Sequence, residues 1–528
     1  MNEVLLRVVS ALLSAILLLW MTEKMMGALQ QSGYQNKRFW SWLKRADNMQ
    51  SKRLWIFSIM LALVTAVVSL SFSFLGRESA LFISAIPYVA FFVLYIYADR
   101  KFALKVPLQR TDRVKRLYVG MFFLLACVSY AWIAILAFLA KIFNSYAYDL
   151  LAYVPVAILP MVLPTLLTFV NSLLSLYEEK RNANFVKRAG QVLDEREIIR
   201  VGIVGSYGKT SVKNIVKTLL SERFDVVATP ESYNTPIGIA KTVFSPEMEG
   251  KQIFIAEMGA RKQGDIAELC SLVHPDYAIF TGVCEQHIQG FGSLQAVWQE
   301  KSVILNHAKQ VVCGEGLQDW LPNDCANAVL PIAVKNVRLG ATSTTFSLVI
   351  DGQEIPVRTK LLGNAGVENI RLAVTLCHLL GMRAEEIQRG VEKLQPIPHR
   401  LELLEKRGVF ILDDGYNANP MGAKEALTAL SRFSGRKCVV TPGLVECGIL
   451  EKEINGELGR QIAELGLDKV ILVGETLVGA VKEGYESAEG NMDVLTTVKT
   501  LADAQVLLGE WIQRGDAVLF LNDLPDVY

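Results

Sequence analysis

The chain has 528 residues, enough for about three or four domains of ordinary size, and a formal net charge of +1. Charges this evenly balanced give no reason to expect a nucleic-acid partner. Its 8 cysteines are scattered and form no C-x-x-C pair, so neither a zinc site nor a disulfide framework is indicated.

Five apolar runs occupy the first third of the chain, and each is near the roughly 20 residues that a helix needs to cross a bilayer. The first run has no basic start and no small-residue cleavage site, which favours a span over a signal peptide. We therefore predict an α-helical membrane region of five spans over residues 1–177. The runs are residues 4–21, 54–75, 80–98, 117–142 and 151–176.

Basic residues are concentrated in alternate loops of this region. Residues 22–53, 99–116 and 180–188 are rich in Lys and Arg, whereas the other loops carry almost none. Basic loops lie on the cytoplasmic side of a membrane. The pattern predicts a multi-pass protein of the cell membrane, with its N-terminus outside and everything after Tyr177 in the cytoplasm.

The first basic loop contains an aromatic stretch, QQSGYQNKRFWSWL, at residues 30–43. One interpretation is an amphipathic helix that lies in the membrane interface and is anchored by its aromatic rings. The other is a contact for the headgroup of a lipid-linked substrate. The sequence leaves both open.

A charged helical linker is predicted over residues 178–199, and strands alternate with helices beyond it. Repeated strand–helix units predict a parallel sheet with helices on both faces, here a P-loop-type central domain over residues 200–397. The stretch LQPIPHR, residues 394–400, predicts an extended hinge because its prolines fix the backbone. A smaller Rossmann-like C-terminal α/β domain is predicted over residues 398–528.

The segment VGIVGSYGKTSVKN, residues 201–214, combines a short strand, a glycine turn and the start of a helix. This arrangement is typical of a phosphate cradle, because backbone N–H groups and the positive helix end face the anion. The motif G-x-x-G-K-[ST] is shorter than the full P-loop, so an ordinary βα turn is the alternative. The candidate nucleotide-binding residues are Gly205, Ser206, Gly208, Lys209, Thr210 and Ser211.

Three predicted strands end next to polar residues. The strands at residues 201–204, 252–256 and 277–281 lead to Gly205, to Glu257 and to the segment that contains His287. Ligands of parallel sheets lie at the carboxyl ends of the strands. We therefore expect these residues to meet in one crevice.

Four motifs resemble those of a known family: GSYGKTS (205–211), AEMGARKQGDIAEL (256–269), HPDYAIFTGVCEQHIQGFGS (274–293) and ILDDGYNANP (411–420). From about Arg200 onward the chain is similar to the Mur ligases, the ATP-dependent amide-forming enzymes of peptidoglycan synthesis. The resemblance does not extend to residues 1–180.

The resemblance implies roles for the first lobe. Lys209 would bind the β- and γ-phosphates of ATP, and Thr210 would bind Mg²⁺. Glu257 and His287 would hold a second Mg²⁺, which oxygen and imidazole ligands suit. The alternatives are a helix-capping carboxylate for Glu257 and a structural histidine for His287. Lys301 falls where many family members carry a carbamylated lysine, and a plain exposed helix lysine is the alternative.

It also implies roles around the hinge and beyond. Asn369 matches an asparagine of the nucleotide-binding helix, although the usual His-Asn ahead of it is replaced by Ala365-Gly366. Arg400 would reach the phosphates from the C-terminal domain, and Asp414 would hold the ribose. For the stretch NANP, residues 417–420, a plain β-turn without a functional role is the alternative. The residues implied to shape the site for the incoming amine are Tyr416, Asn417 and Asn419.

The implied chemistry has two steps: a substrate carboxylate attacks the γ-phosphate of ATP, and an amine then attacks the resulting acyl phosphate. Nothing before Arg200 resembles the uridine-nucleotide-binding domain of the soluble members, and the ending FLNDLPDVY departs from their lysine-containing one. A membrane-associated acceptor, such as a lipid-linked muropeptide, is therefore the hypothesis, with an amino acid or dipeptide as the amine. Other cell-wall enzymes are further candidate partners.

Two other functions remain open. One is ligation of another polymer, such as poly-γ-glutamate. The other is a transporter or nucleotide sensor whose ligase-like part is inactive. Retention of Lys209, Thr210, Glu257 and His287 argues against the second, and so does the near absence of ionisable groups from the predicted spans.

Overall fold

The computed structural model describes residues 3–44, 49–72, 74, 77–99, 107–144, 153–231, 233–284, 291–416, 419–445, 447 and 450–522. The described residues belong to two compact units. The first lies within Met1–Arg181 and the second is Asn182–Leu524.

Helices form the first unit, as its apolar composition predicts. They are α1 (Glu3–Met21), α2 (Glu23–Gln31), α3 (Asn36–Leu43), α4 (Met49–Ser71), α5 (Arg77–Asp99), α6 (Asp112–Ile142) and the long α7 (Tyr153–Asp194), whose C-terminal end continues into the second unit.

Fewer than five of these helices qualify as membrane spans. Within the described residues, three are long and apolar enough: Lys52–Ser71, Asp112–Ile142 and Val156–Asp194. The bent pair Arg7–Met21 and Glu23–Gln31 makes a fourth if it is counted as one span. The predicted span at residues 80–98 coincides with α5 but is not among them, so the five-span prediction is not confirmed.

The aromatic loop of the first unit forms the short helix α3, held by a buried asparagine. Asn171 donates to the Tyr34 carbonyl at 3.0 Å and to Asn36 Oδ1 at 2.9 Å. Arg113 donates to Asn171 Oδ1 at 3.3 Å and lies 3.8 Å from the centroid of the Tyr34 ring. The loop is therefore tied to α6 and α7 by polar contacts.

The predicted linker at residues 178–199 is a continuation of α7 up to Asp194. Ala189 and Leu193 are fully buried in the apolar cluster on one face of the central sheet of the second unit. This end of the helix is thus part of the folded second unit, because its apolar face packs against that unit.

A six-stranded parallel sheet forms the centre of the second unit, in the order β2-β3-β1-β4-β5-β6. Apolar clusters cover both of its faces, as predicted. The strands are β1 (Ile199–Val204), β2 (Val226–Ala228), β3 (Ile253–Glu257), β4 (Tyr277–Phe280), β5 (Gln310–Cys313) and β6 (Ala328–Val329). The accompanying helices are α8 (Lys209–Leu220), α9 (Pro236–Val243), α10 (Asp265–Val273) and α11 (Leu294–Lys301).

A three-stranded antiparallel sheet follows, with the predicted hairpin at Asp351-Gly352. Its strands are β7 (Val334–Leu339), β8 (Thr344–Ile350) and β9 (Gln353–Thr359). Two helices lead from it to the hinge, α12 (Gly363–Leu379) and α13 (Ala384–Glu392).

The C-terminal lobe contains a second six-stranded sheet, in the order β10-β11-β15-β12-β13-β14, parallel except for β10. The strands are β10 (Glu402–Lys406), β11 (Val409–Asp414), β12 (Lys437–Thr441), β13 (Lys469–Val473), β14 (Leu495–Val498) and β15 (Ala517–Leu521). The helices are α14 (Pro420–Ser431), α15 (Glu451–Glu464), α16 (Val478–Ser487) and α17 (Leu501–Trp511).

Candidate active site

The glycine loop leaves the central strand β1 and leads directly into α8. Gly208 has φ +73°, a left-handed conformation that only glycine adopts without strain. A side chain at Gly205 would collide with Thr281, which follows the neighbouring strand β4. The helix begins at Lys209, so its unpaired N–H groups lie at the loop as predicted.

Two lysines converge on this loop. Lys209 Nζ donates to the carbonyl oxygens of Gly205 at 2.8 Å and Ser206 at 3.3 Å. Lys301 Nζ donates to the same Gly205 oxygen at 3.1 Å. Burial, reinforced by the charge of Lys209, lowers the pKa of Lys301 to about 7. Lys301 is 1% exposed, so the alternative of a plain exposed lysine is wrong.

Glu257 lies at the end of β3, where strand register places it opposite Ile203. It is buried, with its Oε2 3.0 Å from Lys213 Nζ, and its Oε1 accepts a hydrogen bond from Asn234 at 3.1 Å. Lys213 lies on α8, and Asn234 lies in the loop between β2 and α9. Within the described residues, the Glu257 carboxylate contacts these two side chains and no helix N-terminus.

The C-terminal lobe contributes Arg400, Asp414 and Tyr416. The Arg400 guanidinium lies 4.3 Å from the centroid of the Tyr416 ring, and burial lowers its pKa. Asp414 Oδ1 accepts a hydrogen bond from the Leu401 N–H at 3.0 Å, which fixes the backbone next to Arg400. Burial raises the pKa of Asp414 to about 6.

One cleft of about 290 Å³ joins the two lobes. Two of its walls come from the glycine loop and from α12, and the third comes from the C-terminal lobe. The predicted site residues that line it are Gly208, Ser211, Asn369, Arg400, Asp414, Tyr416 and Asn419. Lys209, Thr210 and Glu257 are not among the residues that line the cleft. Lys209 directly follows the lining residue Gly208, and its charge interacts with those of Glu257 and Arg400.

Asn419, predicted to shape the site for the amine, caps a helix. Asn419 Oδ1 accepts a hydrogen bond from the Gly422 N–H at 2.9 Å, so it caps the start of α14. The plain β-turn alternative is replaced at this point by a helix N-terminus. His287 and Asn417 lie outside the described residues.

Residues that the sequence interpretation missed also contact the site. Lys213 and Asn234 hold Glu257, and Thr281 Oγ1 donates to the Tyr207 carbonyl. The spacing of Lys213, one helical turn after Lys209, was a visible signal. Asn234 lies in a turn-rich stretch that gave no such signal.

The donor set suits a divalent cation that takes most of its ligands from phosphate and water. In the described part of the chain, Ser206 Oγ is buried without a hydrogen bond, and Glu257 Oε2 has the Lys213 ammonium 3.0 Å away but accepts no hydrogen bond of good geometry. A carboxylate oxygen is a ligand that Mg²⁺ accepts, and Mg²⁺ usually completes its shell with phosphate oxygens and water.

Comparison with known proteins covers both lobes. Residues 203–377 match the Mur ligase middle domain, and residues 399–521 match the Mur ligase, glutamate ligase domain. Together these matches include more than half of the chain, in the order of the two lobes around the cleft. They define a two-lobed ligase built around a nucleotide-type glycine loop.

Individual relatives agree with this. The UDP-N-acetylmuramoyl-tripeptide–D-alanyl-D-alanine ligase of Bacillus subtilis is 29% identical over 335 residues, which are 61% of this chain and 72% of the relative. The Escherichia coli ligase of the same name is 28% identical over 298 residues, 52% of this chain and 64% of the relative. A MurF ligase from Thermotoga maritima, solved with ADP, is 25% identical with a TM-score of 0.58, covering 65% of this chain and 80% of that one.

The chain belongs to the Mur ligase family. The family resemblance is thus confirmed, as is the expected class of enzyme, an ATP-dependent ligase that forms amide bonds. The family match covers the two α/β lobes and begins after the apolar helices of the first unit.

Proposed function

We propose that this protein is a membrane-anchored, ATP-dependent ligase of peptidoglycan precursor synthesis that joins an amine, D-alanyl-D-alanine or a similar dipeptide, to a muropeptide carboxylate. One observation carries the proposal. The glycine loop that leads to Lys209 lines the same cleft as Arg400 and Asp414 of the second lobe, and the charge of Lys209 interacts with that of the buried Glu257.

The proposed chemistry follows from these groups. The acceptor carboxylate attacks the γ-phosphate of ATP and gives an acyl phosphate and ADP, and the amine then displaces phosphate. Lys209 and Arg400 neutralise the charge that accumulates on the phosphates, and the α8 N-terminus presents N–H groups to them. No side chain has to act as a covalent nucleophile, so catalysis is mainly positioning.

Mg²⁺ is proposed as the accompanying metal. Thr210 at the start of α8 and Glu257 at the end of β3 are its candidate ligands, with His287 as the ligand implied by family resemblance. When bound, the cation would screen the negative charge between phosphate and acceptor carboxylate. Asp414 is the candidate ribose ligand, and Asn369 is the candidate contact from α12.

A lipid-linked acceptor is the more specific part of the proposal. Its support is the succession of apolar helices that precedes the family match, together with the basic loops that predict cytoplasmic catalytic lobes. Such an anchor would keep the cleft close to substrates that diffuse within the bilayer. The aromatic helix α3 is a candidate headgroup contact, held in place by Asn171.

The test is phosphate release by the full-length protein in detergent or nanodiscs. D-Alanyl-D-alanine would be supplied with either the soluble UDP-linked tripeptide or a lipid-linked muropeptide, and glutamate pairs would test the poly-γ-glutamate alternative. We expect faster release with the lipid-linked acceptor and none from Lys209→Ala. Efficient turnover of the soluble acceptor would remove the lipid requirement, and no release with any pair would overturn the proposed activity.

A further inference from the structure

We infer that Lys213 is a positioning residue that holds the Glu257 carboxylate as an internal counter-ion and thereby sets how tightly the site binds a divalent cation. The inference rests on the proposed function, because it assumes that Glu257 is a metal ligand. It assigns a role to a lysine that lies outside the glycine-loop motif itself.

The first support is the burial of the pair. The side chains of Lys213 and Glu257 are 1% and 2% exposed, and Nζ lies 3.0 Å from Oε2. Lys213 Nζ also donates to the backbone carbonyl of Glu231. Burying either charge alone costs several kcal/mol, so each side chain depends on the other while no metal is bound.

The second support is the unequal use of the two carboxylate oxygens. Glu257 Oε1 accepts a hydrogen bond from Asn234 at 3.1 Å, and the Glu257 N–H donates to Thr229 Oγ1 at 3.1 Å. Oε2 is close to the ammonium of Lys213 but accepts no well-aligned hydrogen bond within the described residues. Its contact with Lys213 is therefore mainly an ion pair, which leaves lone pairs of Oε2 for a metal ion.

The third support is that Lys209 and Arg400, whose charges also act on Glu257, make their direct contacts elsewhere. Lys209 donates to the carbonyl oxygens of its own loop, and Arg400 lies over the Tyr416 ring. Lys213 follows Lys209 by one helical turn and so reaches the sheet edge from the same helix. Lys213 therefore neutralises Glu257 from α8, the helix that follows the glycine loop.

A divalent cation that approaches Oε2 must share it with an ammonium group. Repulsion between the two cations weakens binding to the nucleotide-free protein. The phosphates of a nucleotide would add negative charge and offset that repulsion, so metal and nucleotide would bind together. Lys213 retains the Glu231 carbonyl as a partner throughout.

The experiment is a titration of the nucleotide-free, full-length protein with Mn²⁺, with free Mn²⁺ measured by electron paramagnetic resonance. Lys213→Met should bind Mn²⁺ more tightly than the wild type, by on the order of tenfold or more, because a close positive charge is removed. Lys213→Arg should retain the wild-type affinity. Lys217→Met removes an exposed lysine from the same helix and should change nothing.

Two further variants make the outcome decisive. Lys213→Met combined with Glu257→Gln should lose the gained affinity, which places the ion at Glu257. Lys213→Gln keeps a donor for the Glu231 carbonyl and serves if the Met variant does not fold. A folded Lys213→Met or Lys213→Gln variant that binds Mn²⁺ with the wild-type affinity would overturn the inference. That result would mean that Lys213 has a structural role only. Phosphate release, measured separately, tests the proposed ligase activity and can fail or succeed independently.

Discussion

Lys209 and Lys301 donate hydrogen bonds to the same atom, the carbonyl oxygen of Gly205, at 2.8 Å and 3.1 Å. One carbonyl cannot balance two ammonium charges in a buried place. Burial lowers the pKa of Lys301 to about 7, from the 10.5 of an unperturbed lysine, and repulsion by the charge of Lys209 adds to the shift. A large fraction of Lys301 is therefore a neutral amine at physiological pH.

This arrangement predicts how stability varies with pH. Between about pH 7 and pH 10 the unfolded chain holds a proton on Lys301 and the folded protein does not, so stability rises with pH. The slope due to this residue is at most about 1.4 kcal/mol per pH unit. Melting temperatures of the full-length protein should show this rise, and Lys301→Met should flatten it. The exposed Lys217→Met is the control, and an unchanged slope in Lys301→Met would contradict the prediction.

A neutral, buried amine is also the form that reacts with CO₂. We expect Lys301 to form a carbamate, which would turn a cation beside the glycine loop into an anion. Protein equilibrated with ¹³C-labelled bicarbonate should give a carbamate carbon resonance that Lys301→Met lacks. Turnover should fall in CO₂-depleted buffer and recover when bicarbonate is restored. A wild-type spectrum without that resonance would refute the expectation.

Much of the catalytic fold was predictable from the sequence. Strands β1, β3 and β4 are short β-branched runs closed by glycine or polar residues, and their shared edge follows from the parallel arrangement. No element was predicted at β5 and β6 or between β13 and β15, where α16, β14 and α17 lie. The missed strands are short, and their formation depends on tertiary packing.

The site was predictable to a smaller extent. Family motifs pointed to Lys209, Glu257 and Arg400, but no local pattern shows that Lys301 is buried, since burial arises from distant segments. The Glu257–Lys213 pair was missed as well: the spacing of Lys213 from Lys209 was visible, but its contact with Glu257 depends on how α8 packs against the sheet. The capping role of Asn419 was available in principle, because an Asn-Pro pair is a common helix start.

Asp414 gives a pH dependence of the opposite sign. Its pKa is about 6 in the folded protein and 3.8 when unperturbed, so the folded state binds the extra proton between these values. Stability due to this group is present below about pH 4 and is lost as pH rises through 6, by roughly 1–2 kcal/mol after allowance for partial exposure. Asp414→Asn should remove this loss in melting curves from pH 4.5 to 7. Asp319→Asn, at an exposed aspartate, should not.

The contact of Arg400 with Tyr416 predicts a requirement for an aromatic ring. Tyr416→Phe should keep the KM for ATP, whereas Tyr416→Leu should raise it about two- to thirtyfold, which corresponds to the 0.5–2 kcal/mol of a cation–π contact. Arg400→Lys should lose activity as well, because an ammonium group does not replace a planar guanidinium. The measurement is ATP-dependent phosphate release. Equal KM values for the Phe and Leu variants would show that the stacking is not used.

Glu425 of the C-terminal lobe caps a helix of the central lobe. Its Oε2 accepts a hydrogen bond from the Asn364 N–H at 3.0 Å, at the start of α12, where Leu362 offers no side-chain cap. A carboxylate at a helix N-terminus stabilises it by about 1 kcal/mol. Because the cap comes from the opposite lobe, it also favours the closed cleft.

Glu425→Ala should therefore increase the fraction of molecules in which the cleft is open. We expect faster proteolysis at the hinge, residues 394–400, and an ATP KM raised by about fivefold, the equivalent of that 1 kcal/mol. Glu425→Gln keeps an acceptor oxygen without the charge and should lie between the Ala variant and the wild type. Lys424→Ala, at the neighbouring position of the same helix, is the matched control. Hinge proteolysis at the wild-type rate in Glu425→Ala would mean that closure does not depend on this cap.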